Sequence, residues 1–585
     1  MVRSEGRVEL ESGFAIAGRD VNPLEGRIGG SGGALRVEPK AMAVLLELAR
    51  HAPRVRTRKQ IEQAVWPRGY VSGDALTRCV GQLRRALGDD PRAPKLLETI
   101  PRRGYRLCAQ PQPIGSAPPE AATLRARPVE TLLVLPFRHV ATQREEFIAE
   151  GLTELLILRL CGLRGMRILS RTTAMQFAAT TAGIGDIAAR TGADWIVEGS
   201  VLQAGDRVQV IAQLIDARTD AHIWAADYAR GLEDLLAMQN EIAERVAAAI
   251  RAQFGVVEGL TPSAPKLASA VVRDYLHGRH LLSRRTVPAL REAIQAFAAA
   301  SWAAPNYAPA WASRAECEML LMHYGAAPAA ELLASCQAHL ERALALDPQL
   351  GIGLSTRGAM RFFFALDFDG AARDLQQALH LLPSYGLAMV QLASVAAVRH
   401  QFDEARAWIE QALLIDPLDV GVNMNVGDHM ILQRRYGDAV AALQRALELA
   451  PAHRPSQLRL TWALALAGRG DAAGEALAAC GPASDADAAW FEYAALVAAA
   501  RGAPAQAAAH DTALRRIAAR QHVAPWSLAR SAAAAGLLDP ALDALAAAAR
   551  ERSSSLPFLR LTPAFDALHG DARFEALAAG LPCAP

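Results

Sequence analysis

A chain of 585 residues has room for three or four domains of roughly 100–200 residues each. With 52% hydrophobic and 21% charged residues it can bury a sizeable core, which excludes wholesale disorder. Charge is uneven: residues 1–110 hold 20 Lys and Arg against 12 Asp and Glu, a net +8, and the other 475 hold 42 against 48, a net −6. A compact basic module on a mildly acidic body points to an anionic partner for the N-terminal part, nucleic acid being the commonest.

No uninterrupted apolar run of about 18 residues occurs, so no membrane-spanning helix and no membrane partner are expected. The first 25 residues carry charges throughout and lack an apolar h-region, so no signal peptide is expected either. The seven cysteines (Cys79, Cys108, Cys161, Cys317, Cys336, Cys480 and Cys583) are scattered, odd in number and without a CxxC. That pattern argues against a disulfide framework or a cysteine zinc site and for a reducing, cytoplasmic setting.

In chain order, residues 14–38 are short extended runs broken by Gly and Pro, which predicts a small antiparallel sheet. Helical periodicity begins at Glu38 with Met42, Leu45, Leu46 and Leu48 on one side, and Pro53 is expected to stop it. Thr57 can cap a short helix to about Trp66, with Ile61 and Val65 facing inward. Pro67, Gly69 and Tyr70 predict a turn. Ser72 or Asp74 then starts a third helix whose Leu76, Val80, Leu83 and Leu87 form one buried stripe. Its outward face holds Thr77, Arg78, Gly81, Gln82, Arg84 and Arg85, side chains suited to phosphates and base edges, with Gly81 permitting close approach to a groove wall. Gly88 reads as the C-cap. Leu96–Ile100 and Tyr105–Leu107 predict a hairpin with Pro101-Arg102-Arg103-Gly104 at its tip, where two guanidinium groups suit a phosphate backbone or a minor groove.

The order of sheet, three helices and basic hairpin resembles the winged-helix DNA-binding domain of the OmpR/PhoB type. The residues that carry the resemblance are Ala64-Val65-Trp66, the run LTRCVGQLRRAL at 76–87 and TIPRRGYRL at 99–107, the last especially similar to the CadC/ToxR-like branch. The resemblance implies a recognition helix at 74–87 and a wing at 99–107. It implies that Thr77, Arg78 and Gln82 face bases, that Arg84, Arg85, Arg102 and Arg103 hold phosphates, and that Tyr105 belongs to the DNA-binding set. Gly81 and Gln82 depart from phosphate-regulon relatives, which often have Arg there, so base preference is not carried over. A winged helix beginning near residue 10 leaves no place for a preceding receiver domain, and a Pro/Ala-rich linker, 110–130, follows where the membrane-bound branch has a transmembrane helix. Regulatory input is therefore expected from the C-terminal parts.

Residues 131–255 mix strand and helix patterns. Leu132–Pro136 and Arg167–Leu169 read as buried strands, 145–161 as an amphipathic helix, and Trp195–Leu202 with Val208–Ile215 as a hairpin around Ala204-Gly205-Asp206. Ile223–Tyr228 adds a strand and Leu232 to Phe254 a long helix. The runs VLPF at 134–137, EGLTELL at 150–156, ILSRT at 168–172, IVEGSV at 196–201 and MQNEIAERV at 238–246 are similar to the TolB N-terminal-like α/β domain. That resemblance implies a fold and a neighbourhood, not a reaction. Ligand or protein binding and a spacer or dimerisation role stay open.

From 267 to 585 the pattern is helical and Ala/Leu-rich. Prolines at 305, 348, 383, 417 and 451 step by 43, 35, 34 and 34, against the 34-residue tetratricopeptide period. Ala371, Ala405 and Ala439 lie twelve residues before the last three prolines, Leu375, Ile409 and Leu443 eight before, and Ala378, Ala412 and Ala446 five before. The frame at Pro305 gives Ala293, Phe297 and Ala300. Small side chains there let paired helices approach, and each proline ends a second helix. The segment resembles tetratricopeptide repeats over about 290–455. Beyond 456 the register weakens, and helical pairs are expected to continue as atypical repeats with a C-terminal cap.

Catalytic motifs lack context. Gly29-Gly30-Ser31-Gly32-Gly33 matches G-x-S-x-G, but an extended segment follows instead of a helix, so a loop is expected. No GxxxxGK[ST] occurs. His277 and His280 form an HxxH without companion ligands. The adjacent acid pairs Asp89-Asp90 and Glu145-Glu146 sit at helix boundaries, where a turn or a helix N-terminus uses them. The resulting expectation is a multidomain chain: an α+β winged helix, an α/β domain and an all-α repeat solenoid. It would act as a one-component transcription regulator without enzymatic activity, cofactor or metal. Expected partners are double-stranded DNA, a protein or peptide on the repeat array, a second copy of the chain and RNA polymerase. The competing readings are a repeat scaffold with a minor DNA-binding role, and an enzyme with an unrecognised site in 131–255.

Overall fold

A computed structural model describes residues 14–581 except 17–18, 24–25, 30–34, 53, 67–74, 91–93, 102, 110–111, 114–128, 142–145, 179, 181, 255–265, 483 and 485. Pro53, the Pro67–Tyr70 turn, Ser72, Asp74, Arg102, Glu145, most of the linker and the Gly30–Gly33 stretch thus lie outside the described residues. The chain forms two compact units, 1–126 and 127–585.

In the first unit, β1 (Phe14–Ile16), β2 (Arg19–Asn22), β3 (Arg27–Ile28) and β4 (Leu35–Arg36) form an antiparallel sheet, joined at its far edge by β8 (Gln112–Pro113). Three helices follow: α1 (Pro39–Ala49), α2 (Arg58–Val65) and α3 (Ala75–Leu87). The short strand β5 (Arg56–Thr57) precedes α2, and β6 (Leu97–Ile100) with β7 (Gly104–Leu107) make the predicted hairpin, in sheet order β5-β7-β6. Thr57 caps α2 as read from the sequence: the Gln60 N–H donates to Thr57 Oγ1 at 3.3 Å, and Gln60 Oε1 accepts from the Thr57 N–H at 3.0 Å. Such a box satisfies two otherwise orphaned donors. The predicted stripe is the core of the unit. Leu76, Val80, Leu83 and Leu87 are at most 2% exposed, and Ile61 is fully buried beside Val65. Each contributes on the order of 1.5–3 kcal/mol by burial.

In the second unit the sheet order is β11-β9-β12-β13-β14, with β10 beside β12. The strands are β9 (Glu130–Val134), β10 (Arg138–Ala141), β11 (Met166–Ile168), β12 (Trp195–Ala204), β13 (Arg207–Asp216) and β14 (Ala221–Gly231). Strands β9, β11 and β12 run parallel, and β12 to β14 form an antiparallel meander. The helices are α4 (Glu146–Leu160), α5 (Arg171–Met175), α6 (Ile184–Thr191) and α7 (Leu235–Phe254).

Helical pairs then follow one another: α8 and α9 (Ser269–Ser283, Val287–Ala303), α10 and α11 (Ala308–His323, Ala329–Leu346), α12 and α13 (Gly351–Met360, Phe368–Leu381), α14 and α15 (Gly386–Val398, Phe402–Ile415). The later pairs are α16 and α17 (Val420–Leu432, Tyr436–Leu449), α18 and α19 (Arg454–Leu466, Gly470–Cys480), α20 and α21 (Ala488–Ala500, Pro504–Ala518), α22 and α23 (Pro525–Ala534, Leu538–Arg550), before a last helix α24 (Ala572–Ala579). The frame residues Ala371, Ala378, Ala405, Ala412, Ala439 and Ala446 are fully buried, with Leu375, Ile409 and Leu443 between them.

Two features of the array go beyond its sequence reading. The 35-residue step between Pro348 and Pro383 coincides with a π-helical turn at Arg361–Ala365, the usual way a helix absorbs one inserted residue. The register also persists past 456. A left-handed residue follows the first helix of each of the last six pairs, at Leu366, His400, Arg434, Gly468, Gly502 and Gly536, with φ between 55° and 74°, at a constant spacing of 34.

The α/β domain and the array share one body. Helix α4 lies on α8, where Arg279 pairs with Glu154 and His280 Nδ1 lies 2.9 Å from Glu150 Oε2. Turns between repeats reach the sheet: Ser384 Oγ accepts from the Ile168 N–H at 3.1 Å, and Ile415 O accepts from the Ser170 N–H at 3.1 Å. The edge of the array carrying those turns therefore packs in part against the chain's own α/β domain. At the far end, Ser554 Oγ donates to His323 O at 3.3 Å and Arg434 Nη1 donates to Leu561 O at 2.9 Å, so the segment after α23 returns onto earlier repeats.

Candidate nucleic-acid interface

The stripe that buries α3 fixes what it presents outward. Thr77, Arg78 and Arg85 are exposed, and Gln82 and Gly81 are half-buried. Thr77, Gly81 and Arg85 recur at i, i+4, i+8, and Arg78, Gln82 and Arg85 at i, i+4, i+7, which places them on one strip. A Cβ added at Gly81 would meet no atom within 4 Å, so the glycine answers no internal packing need. Glycine inside a helix costs about 1 kcal/mol against alanine.

The wing lies beside this strip through specific bonds. Asp89, 7% exposed just after α3, accepts the N–H groups of Lys95 at 2.7 Å, Leu96 at 3.0 Å and Leu97 at 2.8 Å. A carboxylate that caps three successive amides fixes where β6 starts relative to α3. Its neighbour Asp90 is exposed. Arg84 adds a second tie: its Nη2 donates to Leu97 O at 2.8 Å and to Thr99 Oγ1 at 2.9 Å. Arg103, at the hairpin tip, is exposed. Strand β7 comes so close to β5 that a Cβ on Gly104 would lie 2.0 Å from Arg56 O, so only glycine fits there.

The sequence-predicted residues thus divide. Thr77, Arg78, Gln82, Arg85 and Arg103 are reachable from outside and cluster on the helix strip and the adjoining tip. Arg84 is half-buried and turned toward β6, where it fastens the wing. Tyr105 is 6% exposed and belongs to the core, so its part is positional. Arg102 lies outside the described residues. Sequence reasoning missed Arg58 at the start of α2. Its Nη2 donates to Thr77 Oγ1 at 2.8 Å, its guanidinium lies 6.0 Å from the Tyr105 ring centroid, and its N–H donates to Arg103 O at 3.4 Å. A signal was available: Arg58 and Lys59 open a helix whose first turn has no acid, against the preference set by the helix dipole.

The other chemical candidates are engaged structurally. His280 bonds to Glu150, whose carboxyl is held below its ordinary range first by that hydrogen bond, and His277 stacks 5.1 Å from Phe147. Among the described residues no helix is long and apolar enough to cross a membrane.

Residues 32–107 match the family model described as "Transcriptional regulatory protein, C terminal". The chain is 33% identical over 146 residues to a protein of Rhizobium meliloti called putative adenylate cyclase 3, covering 25% of this chain and 24% of that one. It is 20% identical over 438 residues to the transcriptional regulator HilA of Salmonella typhi, covering 73% and 69%. It is 33% identical over 88 residues to the transcriptional activator CadC of Escherichia coli, covering 15% and 17%. The chain therefore spans about a quarter of the first of these relatives, a sixth of CadC and just over two thirds of HilA.

Proposed function

We propose that this chain is a sequence-specific, double-stranded-DNA-binding transcription regulator. The observation that carries the reading is the outward strip of α3, with Thr77, Arg78, Gly81, Gln82 and Arg85, set beside the exposed Arg103 of the wing. In this reading α3 enters the major groove, Arg78 and Gln82 read base edges, and Arg85, Arg102 and Arg103 hold phosphates. Arg58 acts from the helix behind as the strut between strip and wing. The working division is 8–109 for DNA, 110–130 as linker, 131–255 as the α/β domain and 267–585 as the repeat array. The matches to HilA and CadC, both named as transcription regulators, support the reading. A cytoplasmic site of action goes with it.

The test is selection and sequencing of duplexes bound by the full chain. A reproducible motif is expected. Arg78→Ala and Gln82→Ala should change which bases are preferred, and full retention of specificity by the double variant would overturn the assignment.

The α/β domain and the array serve in this proposal as the regulatory and protein-binding part, with RNA polymerase or a regulatory protein or peptide as partner. The chain is read as non-enzymatic. The adenylate cyclase match spans a quarter of each chain, and formation of cyclic AMP from ATP by the purified chain would overturn that part of the reading.

A further inference from the structure

The α/β sheet buries one face under its helices and leaves part of the other open. Three large apolar side chains are exposed there: Val140 at 54%, Leu202 at 45% and Ile211 at 44%. Strand register places them in two adjacent cross-strand rows. One row runs Arg138–Ser200–Ile211–Asp227 over β10, β12, β13 and β14, and the next runs Val140–Leu202–Gln209–Ala229. Residues directly opposite across a ladder point to the same face, so each row is a line of side chains on one surface.

The first row is polarised. Arg138 stands exposed at one edge and Asp227 exposed at the other, three strand spacings apart, about 14 Å. Gln209 Nε2 donates to both Asp227 oxygens, at 3.0 and 2.8 Å, and holds the carboxylate over the face. We propose that this face is the contact between two copies of the chain, packed sheet on sheet about a two-fold axis parallel to the strands. That rotation carries β10 of one copy over β14 of the other. Arg138 then meets the second copy's Asp227, and the reverse pair forms at the opposite edge.

The other charged groups on the face fall over neutral residues. Arg207, in the row Ala204–Arg207–Gly231, falls over Ala204 of the second copy, and Glu198, which takes a hydrogen bond from Gln213, falls over Gln213. Arg207 and Glu198 each lie one strand spacing, about 4.8 Å sideways, from their own counterparts across the axis, so the edge pairs carry the charge complementarity. An axis perpendicular to the strands would instead set β10 over β10 and β14 over β14, without complementarity. Isologous contacts demand this self-complementarity, and sheets packed face to face keep their strands within about 30° of each other. Three strands of about eight residues and the four-residue β10 give on the order of 450 Å² per copy. That is the small end of specific interfaces, so a reversible dimer is expected. The proposal concerns the α/β domain and does not rest on the DNA-binding reading.

Sedimentation of the full chain without DNA tests it, with three variants at surface positions. Wild type should dimerise with rising concentration. Arg138→Glu and Asp227→Arg should each weaken self-association by about tenfold or more, because like charges then face each other twice. The doubly substituted chain should recover it. The diagnostic result is the mixture of the two single variants: each fails to pair with itself, yet mixed they should associate, since both edge contacts become opposite in sign. A monomeric wild type at every concentration, a dimer indifferent to both substitutions, or failure of the mixture to associate would each overturn the proposal. Circular dichroism of each variant distinguishes loss of pairing from loss of fold.

Discussion

Arg58 and Thr77 meet across the groove between α2 and α3, guanidinium to hydroxyl at 2.8 Å. The same arginine donates its backbone N–H to Arg103 O at the wing tip. One residue thus ties the helix proposed to read bases to the hairpin beside it. Lysine keeps the charge but lacks the planar fork that spans Thr77 and the Tyr105 ring. Arg58→Lys should lower specific DNA affinity about tenfold, the equivalent of one hydrogen bond to a charged group at about 1.5 kcal/mol, while the salt dependence stays as steep as in wild type. Fluorescence anisotropy at several salt concentrations checks both. Unchanged affinity would mean that Arg58 is no strut.

Arg84 and Arg85 are adjacent in sequence and differ in role. Arg85 is exposed on the strip, so Arg85→Ala should reduce the slope of log affinity against log salt by about 0.9, one phosphate contact. Arg84 is fastened to Leu97 O and Thr99 Oγ1. Arg84→Ala should therefore leave that slope nearly intact and lower the thermal stability of the DNA-binding domain, by about 1.5–3 kcal/mol. The pair of measurements separates a phosphate clamp from a wing fastener, and reversed outcomes would reassign them.

Gly81 should trade stability against binding. Among the described residues nothing beyond the helix's own backbone lies within 4 Å of a Cβ placed there, so Gly81→Ala is expected to stabilise the helix by about 0.5–1 kcal/mol. If the glycine makes room for a groove wall, the same methyl group should weaken DNA binding. A variant that melts higher and binds equally well would show that nothing approaches the helix there.

The buried halves of these elements were legible because burial leaves a period in the sequence. Leu76, Val80, Leu83 and Leu87 recur every three or four residues, and Thr57 announces its helix by the capping chemistry it alone can supply. The outward residues of α3 followed by subtraction. What subtraction cannot tell is which outward side chain is taken up by a neighbour distant in sequence. Arg84 and Arg85 look alike until β6 is placed, and Tyr105 looks exposed until α1 packs against β7. The array shows the reverse. Its register was read from prolines and alanines and lost when the prolines stopped at 451. The glycines at 468, 502 and 536, which continue the same spacing, mark the left-handed turn and not the helix end. That signal sits in the backbone conformation the turn requires, one step removed from the packing pattern.

His400 tests this turn. It occupies with φ of 58° the position that Gly468, Gly502 and Gly536 fill in later repeats. A left-handed non-glycine residue costs roughly 1–2 kcal/mol, and His400 is exposed, so little packing offsets it. His400→Gly should raise the temperature of the array's unfolding transition, worth about 1 kcal/mol after the added flexibility of the unfolded chain is deducted. No gain, or a loss, would mean that the edge-to-face contact of His400 with Phe402, centroids 5.6 Å apart, outweighs the strain.

Asp416 makes the contact between array and α/β domain depend on pH. It is 8% exposed, and it accepts hydrogen bonds from the Ser170 hydroxyl and from Thr173 Oγ1 at 2.8 Å. Burial first, and the nearby Asp419 second, push its carboxyl up from 3.8 to about 7. A carboxyl whose folded value is raised binds its proton more tightly when folded. The stability it contributes is complete below pH of about 4, where both states are protonated, and is lost as pH rises to about 7. The slope in that window is at most about 1.4 kcal/mol per pH unit. Asn keeps the Oδ1 acceptor for Ser170 and Thr173 while removing the titration. Asp416→Asn should therefore melt like wild type near pH 4, show a flatter stability profile between pH 4 and 7, and exceed wild type above pH 7. Parallel profiles for the two proteins in thermal melts across that range would mean that Asp416 ionises as easily in its contact with Ser170 as it does in the unfolded chain.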